Sequence, residues 1–244
     1  MSYAAQTLQS SAPQAFMRDR AAQRIGTSPS ERAPDDGLSA LQTIGTVVRF
    51  NRNAEIFSDG DEACYSYRIV SGTVRLCKLM MDGRRQIAQF LVTGDLFGVE
   101  WLDTHSLTAE ALSDVVAVRY ARAHLERLGE ERNDVQRSLM ALLSRDLWAT
   151  QNHLVTLGRQ TAKERVVSFL LALAERNGTK NGGVLDIPMG RQDIADYLGL
   201  TIETVCRAIT ELKRRRLIDI PNRSQIVIRA LARLREIATG DFEQ

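Results

Sequence analysis

The first half of the chain contains short apolar runs separated by turn residues. Between Ile44 and Tyr120, β-branched and aromatic residues form brief runs, and pairs such as Asp82-Gly83 lie between them. Such runs predict strands joined by tight turns, and an Asp-Gly pair is a strong hairpin signal. Many short strands at close spacing predict a β-sandwich or a barrel of roll type, a fold that often holds a small molecule. The predicted strands cover residues 47–50, 65–70, 74–79, 87–91 and 115–120.

After Glu131 the apolar period becomes helical. Apolar residues recur there at alternating spacings of three and four, which is the pattern of a coiled-coil seam. We therefore predict a long helix that forms a dimer interface, and a helix packed on its own domain is the alternative. The predicted interface residues are Met140, Leu143, Leu147, Thr150, Leu154 and Leu157.

A further folded region begins at Thr161. Thr161 is predicted to cap a helix, because Glu164 completes a capping box, and Asn177-Gly178 ends that helix. Gly199 suits a tight turn between the two helices that follow. This order predicts a winged helix-turn-helix, whose core residues are Ile194, Leu198, Val205, Ile209 and Leu212. Its predicted elements are a strand at 184–188, helices at 191–197 and 201–215, and a two-stranded wing at 217–220 and 225–228.

These patterns together predict an α+β protein with four parts. The N-terminal segment is rich in Ala, Ser, Gln, Arg and Pro without a sustained apolar period, so we expect a mobile arm there. The predicted parts are the arm at 1–36, the β-roll at 37–125, the dimerisation helix at 126–159, and the winged helix-turn-helix DNA-binding domain with a C-terminal helix at 160–244.

The second helix of the predicted helix-turn-helix carries candidate base-reading residues. Glu203 and Arg207 lie one helical turn apart, so both face the same side. A carboxylate accepts a hydrogen bond from the cytosine amino group, and a guanidinium donates hydrogen bonds to two guanine acceptors. The Glu-Arg pair therefore suits a C·G step. The same pair is also common on solvated helices. Ile202 and Cys206 lie beside them. The predicted phosphate contacts are Arg191, Gln192, Thr201, Thr204, Lys213 and Arg214, the last two alternatively forming a solvated basic face.

Composition narrows the class of protein. The formal net charge of the 244 residues is only +2, so a nucleic-acid footprint must come from local clusters such as 213–216. No apolar run approaches the roughly 20 residues of a membrane helix, so we expect a cytoplasmic protein without membrane contact. Three cysteines are too few for a disulfide framework or a structural zinc site, and no metal is expected. Cys64 and Cys77 fall in strand-like runs and are predicted to be core residues.

Cys206 is a candidate redox-sensitive residue. A thiol near a helix N-terminus and an arginine is expected to have thiolate character. Oxidation to sulfinic or sulfonic acid adds bulk and negative charge against DNA, so DNA binding is expected to fall. The alternative is that Cys206 packs as a small apolar residue.

The chain from about 41 to 237 resembles the Crp/Fnr family of bacterial transcription regulators. The matching stretches are 56–61, 69–72, 82–86, 94–98 and 197–207. The resemblance implies that the N-terminal β-roll is a cyclic-nucleotide-binding-like double-stranded jelly roll, and it implies the domain order predicted above. It also implies homodimeric binding to double-stranded DNA and contact with RNA polymerase. Cyclic-nucleotide-binding relatives have an Arg-Ser pair where this chain has His105-Ser106, so no cyclic AMP is expected. Residues 1–63 contain no cysteine, so an N-terminal iron-sulfur cluster is not expected either.

Without these two features, the chain is similar to the FixK-like subgroup, which regulates low-oxygen and nitrogen-fixation genes. The resemblance implies an activator that binds palindromes like TTGAT-N4-ATCAA and needs no cofactor. Glu203 and Arg207 are then expected to contact the G·C pair of each half-site, and Cys206 the neighbouring bases or backbone. Ile202 stands where the cyclic-nucleotide branch has an arginine, which favours the TTGA-type site.

A ligand-responsive transcription sensor and an enzyme are the two alternative classes of protein. A ligand-gated or haem-gated transcription sensor would use the β-roll pocket, with His105, His124 or Cys77 as axial ligands. An enzyme with Cys206 as nucleophile is excluded, because none of the three histidines lies in the predicted domain of Cys206 to act as its base.

Overall fold

The computed structural model describes residues 45–100 and 102–240. The predicted arm at 1–36 and the last four residues of the chain, 241–244, lie outside the described residues. In the described part, eleven strands and six helices follow the predicted order of an N-terminal β-roll, long helix and winged helix-turn-helix. The α+β fold is therefore confirmed.

The β-roll consists of two antiparallel four-stranded sheets. One sheet has the strand order β1-β8-β3-β6 and the other β2-β7-β4-β5. Aromatic and aliphatic side chains such as Phe57, Tyr67 and Phe97 form the buried cluster of the roll. The strands are β1 (Thr46–Phe50), β2 (Glu55–Phe57), β3 (Tyr65–Ser71), β4 (Val74–Leu79), β5 (Arg85–Leu91), β6 (Leu96–Phe97), β7 (Thr108–Ala111) and β8 (Val115–Ala121).

The five predicted strands of the roll are all present. The predicted hairpin at Asp82-Gly83 joins β4 to β5, and Gly83 has a φ of +83°, a conformation that glycine adopts without a Cβ penalty. Sequence patterning missed β2, β6 and β7, which are two to four residues long. Runs that short are too brief to show a two-residue period.

One of the two cysteines predicted to be core residues is exposed. Cys77 is buried on β4, as expected, but Cys64 is exposed. Its Sγ lies 3.7 Å from Oε2 of Glu62. The strand begins only at Tyr65, so Cys64 belongs to the preceding loop and has no position on an inward face.

Two helices cover the span 126–159, which the sequence analysis predicted as one helix. They are α1 (Arg122–Glu131) and α2 (Asn133–Arg159). Arg132 interrupts them because its backbone is extended, with φ −130° and ψ 105°. In α2 only Val135 is buried, whereas Met140, Leu147 and Leu154 are 59%, 60% and 64% exposed. A long helix thus leaves an apolar stripe that is largely exposed in the single chain.

The C-terminal domain begins with the predicted capping box. Thr161 donates its backbone N–H to Oε2 of Glu164 at 2.8 Å, and Glu164 donates its N–H to Oγ1 of Thr161 at 3.4 Å. The wing differs from the prediction because β9 joins its two strands, giving a sheet of order β10-β11-β9. The elements are α3 (Ala162–Arg176), β9 (Val184–Asp186), α4 (Arg191–Leu198), α5 (Ile202–Arg214), β10 (Ile218–Asn222), β11 (Gln225–Ile228) and α6 (Leu231–Ala238).

The angle between α4 and α5 is set by a left-handed turn and a buried apolar core. Gly199 ends α4 with φ 61° and ψ 40°, which is the usual place for glycine after a helix. Leu200 donates its N–H to the carbonyl of Ala195 at 3.0 Å. All five predicted core residues are at most 3% exposed: Ile194, Leu198, Val205, Ile209 and Leu212.

The winged domain packs directly on the β4–β5 side of the roll. Phe90 on β5 lies 5.2 Å from Tyr197 on α4 and 6.0 Å from Phe169 on α3, measured between ring centroids. Cys77 and Ile87 of the roll belong to the same buried cluster as the helix-turn-helix core. The helix-turn-helix is therefore attached to the roll by an apolar contact as well as through the chain.

Candidate nucleic-acid interface

The solvent face of α5 carries the four candidate base-reading residues. Glu203, Cys206 and Arg207 are exposed, and Ile202 is 36% exposed. The opposite face of the helix is anchored in the core by Val205 and its neighbours. Because helical periodicity separates the two faces, a single amphipathic helix presents all four candidates together at its N-terminal end.

The first turn of α5 is held by a threonine cap. Thr201 accepts a hydrogen bond from the backbone N–H of Thr204 at 3.3 Å, and the two side-chain hydroxyl oxygens lie 3.1 Å apart. A cap of this kind satisfies one of the free N–H groups of the first turn. Both threonines were predicted to contact phosphate, and their hydroxyls here support the helix end.

The carboxylate of Glu203 is kept ionised by its surroundings. Its pKa is lowered first by a hydrogen bond from its own backbone N–H, then by one from the hydroxyl of Thr201, and also by the charge of Arg207. An ionised carboxylate is a pure acceptor, which is what the amino group of cytosine requires.

Arg191 on α4 and Cys206 on α5 are close enough to interact electrostatically. Arg191 is the first residue of α4, and burial lowers the pKa of its guanidinium, while the charge of Cys206 as a thiolate raises it. The thiol of Cys206 is exposed at the same time. An exposed thiol is accessible to oxidants in solution.

The remaining predicted phosphate contacts differ in whether their side chains are already paired within the protein. Gln192 is exposed and donates to Oδ1 of Asp196 at 2.6 Å, within its own helix. Lys213 is exposed near the end of α5. Arg214 is 73% exposed but forms an ion pair with Glu211 at 2.9 Å, so part of its charge is already compensated.

His105 and Ser106 stand at the position of the cyclic-nucleotide Arg-Ser pair. Both contact other residues of the β-roll. His105 is 3% exposed, and its ring stacks on Phe57 with centroids 3.6 Å apart. Glu100 accepts a hydrogen bond from the backbone N–H of Ser106 at 2.9 Å, and its Oε1 lies 3.5 Å from Nδ1 of His105 without hydrogen-bond geometry. Sequence reasoning missed Glu100, since a single acidic residue in a loop carries no distinctive pattern.

The three candidate axial ligands for haem lie on separate elements. Cys77 donates from its thiol to Oε2 of Glu110 at 3.4 Å, and burial raises its pKa to about 11, which disfavours the thiolate. His124 is exposed on α1, and His105 is stacked as described. Among residues 45–100 and 102–240, no group of three or more His, Cys, Asp or Glu side chains is arranged to hold a metal ion.

The described part of the chain has no helix whose length and apolar character suit a membrane span.

Two family matches cover the roll and the winged domain. Residues 47–132 match the cyclic nucleotide-binding domain, and residues 164–237 match the Crp-like helix-turn-helix domain. The chain belongs to the Crp/Fnr family of transcription regulators. It is a DNA-binding regulator and not an enzyme, as the sequence predicted.

Within that family the chain is most readily compared with FixK proteins. It is 41% identical to the nitrogen fixation regulation protein FixK of Azorhizobium caulinodans over 97% of this chain and 99% of that protein. It is 40% identical to FixK of Rhizobium meliloti over 78% of this chain and 86% of the relative. The structure of FixK2 from Bradyrhizobium japonicum superposes with a TM-score of 0.76 at 39% identity, covering 80% of this chain and 97% of that one. The FixK-like assignment is thereby confirmed.

Proposed function

We propose that two copies of this chain bind a palindrome like TTGAT-N4-ATCAA and activate low-oxygen and nitrogen-fixation genes in the cytoplasm. The observation that carries the proposal is the solvent face of α5, where Glu203 and Arg207 stand exposed, one turn apart, on a helix anchored by its other face. Recognition helices of this motif enter the major groove by their N-terminal residues.

Glu203 and Arg207 read the G·C pair of each half-site. The lowered pKa of Glu203 supports its role as acceptor for the cytosine amino group, and Arg207 donates to the two guanine acceptors. Ile202 offers an apolar contact for a thymine methyl group, and Cys206 approaches the neighbouring bases or backbone. Phosphates on either side are held by Arg191, Gln192, Thr201, Thr204, Lys213 and Arg214.

The dimer forms along α2. Exposed apolar side chains on this helix repeat with a period of seven, and Trp148 and Val155 extend the stripe at 50% and 62% exposure. A seven-residue apolar repeat is the pattern of a two-helix seam. The interface residues are Met140, Leu143, Leu147, Thr150, Leu154 and Leu157.

Competition binding tests this function directly. We expect a fluorescein-labelled TTGAT-N4-ATCAA duplex to bind the wild-type protein at least about a thousandfold more tightly than a scrambled duplex of equal composition at physiological salt. The same duplex with one half-site scrambled is the matched control, and it is expected to lose most of the gain. Equal affinity for the matched and scrambled duplexes would refute the proposed specificity.

The regulator acts without cyclic AMP or a cofactor. The Glu100 carboxylate at the backbone N–H of Ser106 supports this, because a fixed negative charge at that position opposes a cyclic phosphate.

The second candidate function, a haem-gated or ligand-gated sensor, requires an axial ligand from His105, His124 or Cys77. The absorbance spectrum of freshly purified protein separates the two, since a Soret band supports the sensor and a featureless visible spectrum the cofactor-free regulator. RNA polymerase is the partner through which activation takes place.

Cys206 makes DNA binding sensitive to oxidants. Hydrogen peroxide transfers an oxygen atom to the thiolate sulfur, giving a sulfenic acid and hydroxide, and further oxidation gives the negatively charged sulfinic and sulfonic acids. The exposure of the thiol and its place on the solvent face of α5 support this role.

Peroxide treatment is expected to weaken promoter binding by wild-type protein about tenfold or more, because the added charge faces the phosphates. Cys206→Ser is expected to keep its affinity under the same treatment. Cys64→Ser is the matched control: Cys64 is also exposed, yet lies in the roll, so this variant is expected to remain as sensitive as wild type. Equal losses in wild type and Cys206→Ser would remove the redox role.

A further inference from the structure

An ion network joins the β-roll to the first helix of the helix-turn-helix. Nη2 of Arg85, on β5, lies 2.8 Å from Oδ1 of Asp193 and 2.8 Å from Oδ2 of Asp196, both on α4. Nε of Arg85 donates to the same Asp196 oxygen at 3.0 Å. One guanidinium of the roll thus holds two carboxylates that lie one turn apart on α4.

A second arginine of the roll binds the same carboxylate of Asp193. Nη1 of Arg75, on β4, lies 2.6 Å from Oδ1 of Asp193, and its Nε donates to Oε2 of Glu110 at 2.7 Å. Glu110 is the register partner of Arg75 on β7, so a strand pair of the roll fixes the direction of this guanidinium. We call these five residues the interdomain clamp: Arg75, Arg85, Glu110, Asp193 and Asp196.

The clamp is shielded from water, unlike most surface ion pairs of the chain. The side chains of Arg75 and Asp193 are 14% and 12% exposed, and those of Arg85 and Asp196 are 24% and 13% exposed. Exposed pairs contribute little because solvent screens them, whereas a largely buried pair that loses one partner leaves a charge without compensation. The relative position of roll and α4 is therefore sensitive to each member.

The clamp reaches the N-terminal end of α4. Asp193 also accepts the backbone N–H of Gly190 at 3.0 Å through its other oxygen, so one carboxylate both caps α4 and receives the arginines. Arg191 and Gln192, two of the proposed phosphate contacts, belong to the same first turn. Helix α4 packs against α5 through the helix-turn-helix core, so fixing α4 on the roll also fixes the reading helix.

We propose that Arg75 and Arg85 are positioning residues for DNA binding: through Asp193 and Asp196 they hold the reading helices at the angle that matches the spacing of two half-sites. This inference rests on the proposed binding of a palindrome by a dimer. It gives the roll a task in DNA recognition that needs no bound effector, because charged side chains of the roll itself hold α4.

A double-mutant cycle on full-length protein tests the clamp. The variants are Arg85→Gln, Asp196→Asn and the two combined, with Arg84→Gln as the matched control. Arg84 is the neighbouring residue, its change removes the same charge, and its ion pair is with Asp82 in the β4–β5 hairpin. Each protein is titrated with the TTGAT-N4-ATCAA duplex and with duplexes whose spacer is one base pair shorter or longer.

On the N4 duplex, Arg85→Gln and Asp196→Asn are each expected to bind about 5- to 150-fold more weakly than wild type, the range of typical coupling between sites. The combined variant is expected to lose little more than either single variant, because the second change removes a partner already lost. The preference of wild type for the N4 spacer over its neighbours is expected to shrink in all three. Arg84→Gln is expected to match wild type, and Arg85→Lys, which keeps the charge, to restore part of the spacer preference.

Equal weakening on all three spacers, or losses that add in the combined variant, would overturn the clamp. The ratio between spacers does not depend on the fraction of folded protein, so a partly unfolded variant still gives a valid answer. Failure of the wild-type protein to prefer the palindrome at all would instead refute the proposed function and leave the contacts within the chain unchanged.

Discussion

Replacing Leu147 with Asp is expected to convert the regulator into a monomer with little promoter affinity. Leu147 is 60% exposed on α2 and lies at the centre of the predicted seam. Burial of a leucine contributes about 1.5–3 kcal/mol, and two-fold symmetry repeats the change in both chains. The dimer is then weakened by at least about 3 kcal/mol, or roughly 100-fold, before the added cost of burying two carboxylates.

Loss of the dimer removes the gain from binding two half-sites at once. Linked binding of two sites raises affinity by about 10²- to 10⁴-fold, so the monomer is expected to bind the palindrome weaker by that factor. Sedimentation velocity gives the oligomeric state, and fluorescence anisotropy gives the affinity. Asn152→Asp is the matched control, since Asn152 is exposed on the same helix outside the seam. A Leu147→Asp protein that remains dimeric would show that this face of α2 is not the interface.

Arg207→Ala is expected to abolish the choice of guanine in each half-site. A bidentate contact between arginine and guanine contributes about 1–3 kcal/mol of discrimination, and a palindrome contains two such contacts. The matched duplex is therefore expected to bind about 30-fold more weakly or worse. Duplexes in which the G·C pair of each half-site is replaced are expected to bind wild type poorly and to bind the variant as well as the matched duplex.

A second arginine, at the C-cap of the same helix, separates base reading from simple charge. Arg215 lies two turns after Arg207 and forms an ion pair with Glu211, so Arg215→Ala removes the same charge from the far end of α5. This control is expected to weaken binding slightly and equally for every duplex. If Arg207→Ala behaves in the same uniform way, Arg207 is a phosphate anchor and does not read bases.

The elements that the sequence predicted well are those whose signal is local. The strands at β3, β4 and β5 are long enough to show their apolar runs, and the capping box of Thr161 and Glu164 is complete within four residues of sequence. Gly199 marks its turn because few other residues adopt a positive φ without strain. Each of these features is determined by neighbours along the chain.

The features that escaped prediction depend on partners far apart in sequence. β9 adds to the wing across the whole helix-turn-helix, and Cys64 looked like a strand residue until the start of β3 excluded it. Arg85 and Asp196 are separated by 111 positions, and nothing in either local sequence marks them as a pair. For the candidate site, the helix face of Glu203 and Arg207 was predictable from a period of 3.6 residues, whereas the electrostatic interaction of Arg191 with Cys206 requires the packing of α4 on α5.

Protection of guanine N7 from dimethyl sulfate on the TTGAT-N4-ATCAA duplex tests the central claim most directly, namely that paired α5 helices read G·C pairs in two successive major grooves. Arginine that donates to guanine O6 and N7 shields N7 from methylation. We expect wild-type protein to protect the guanine of both half-sites, one on each strand, and Arg207→Ala at saturating concentration to leave both reactive. Bound wild-type protein that leaves these two guanines as reactive as in free DNA would contradict the account.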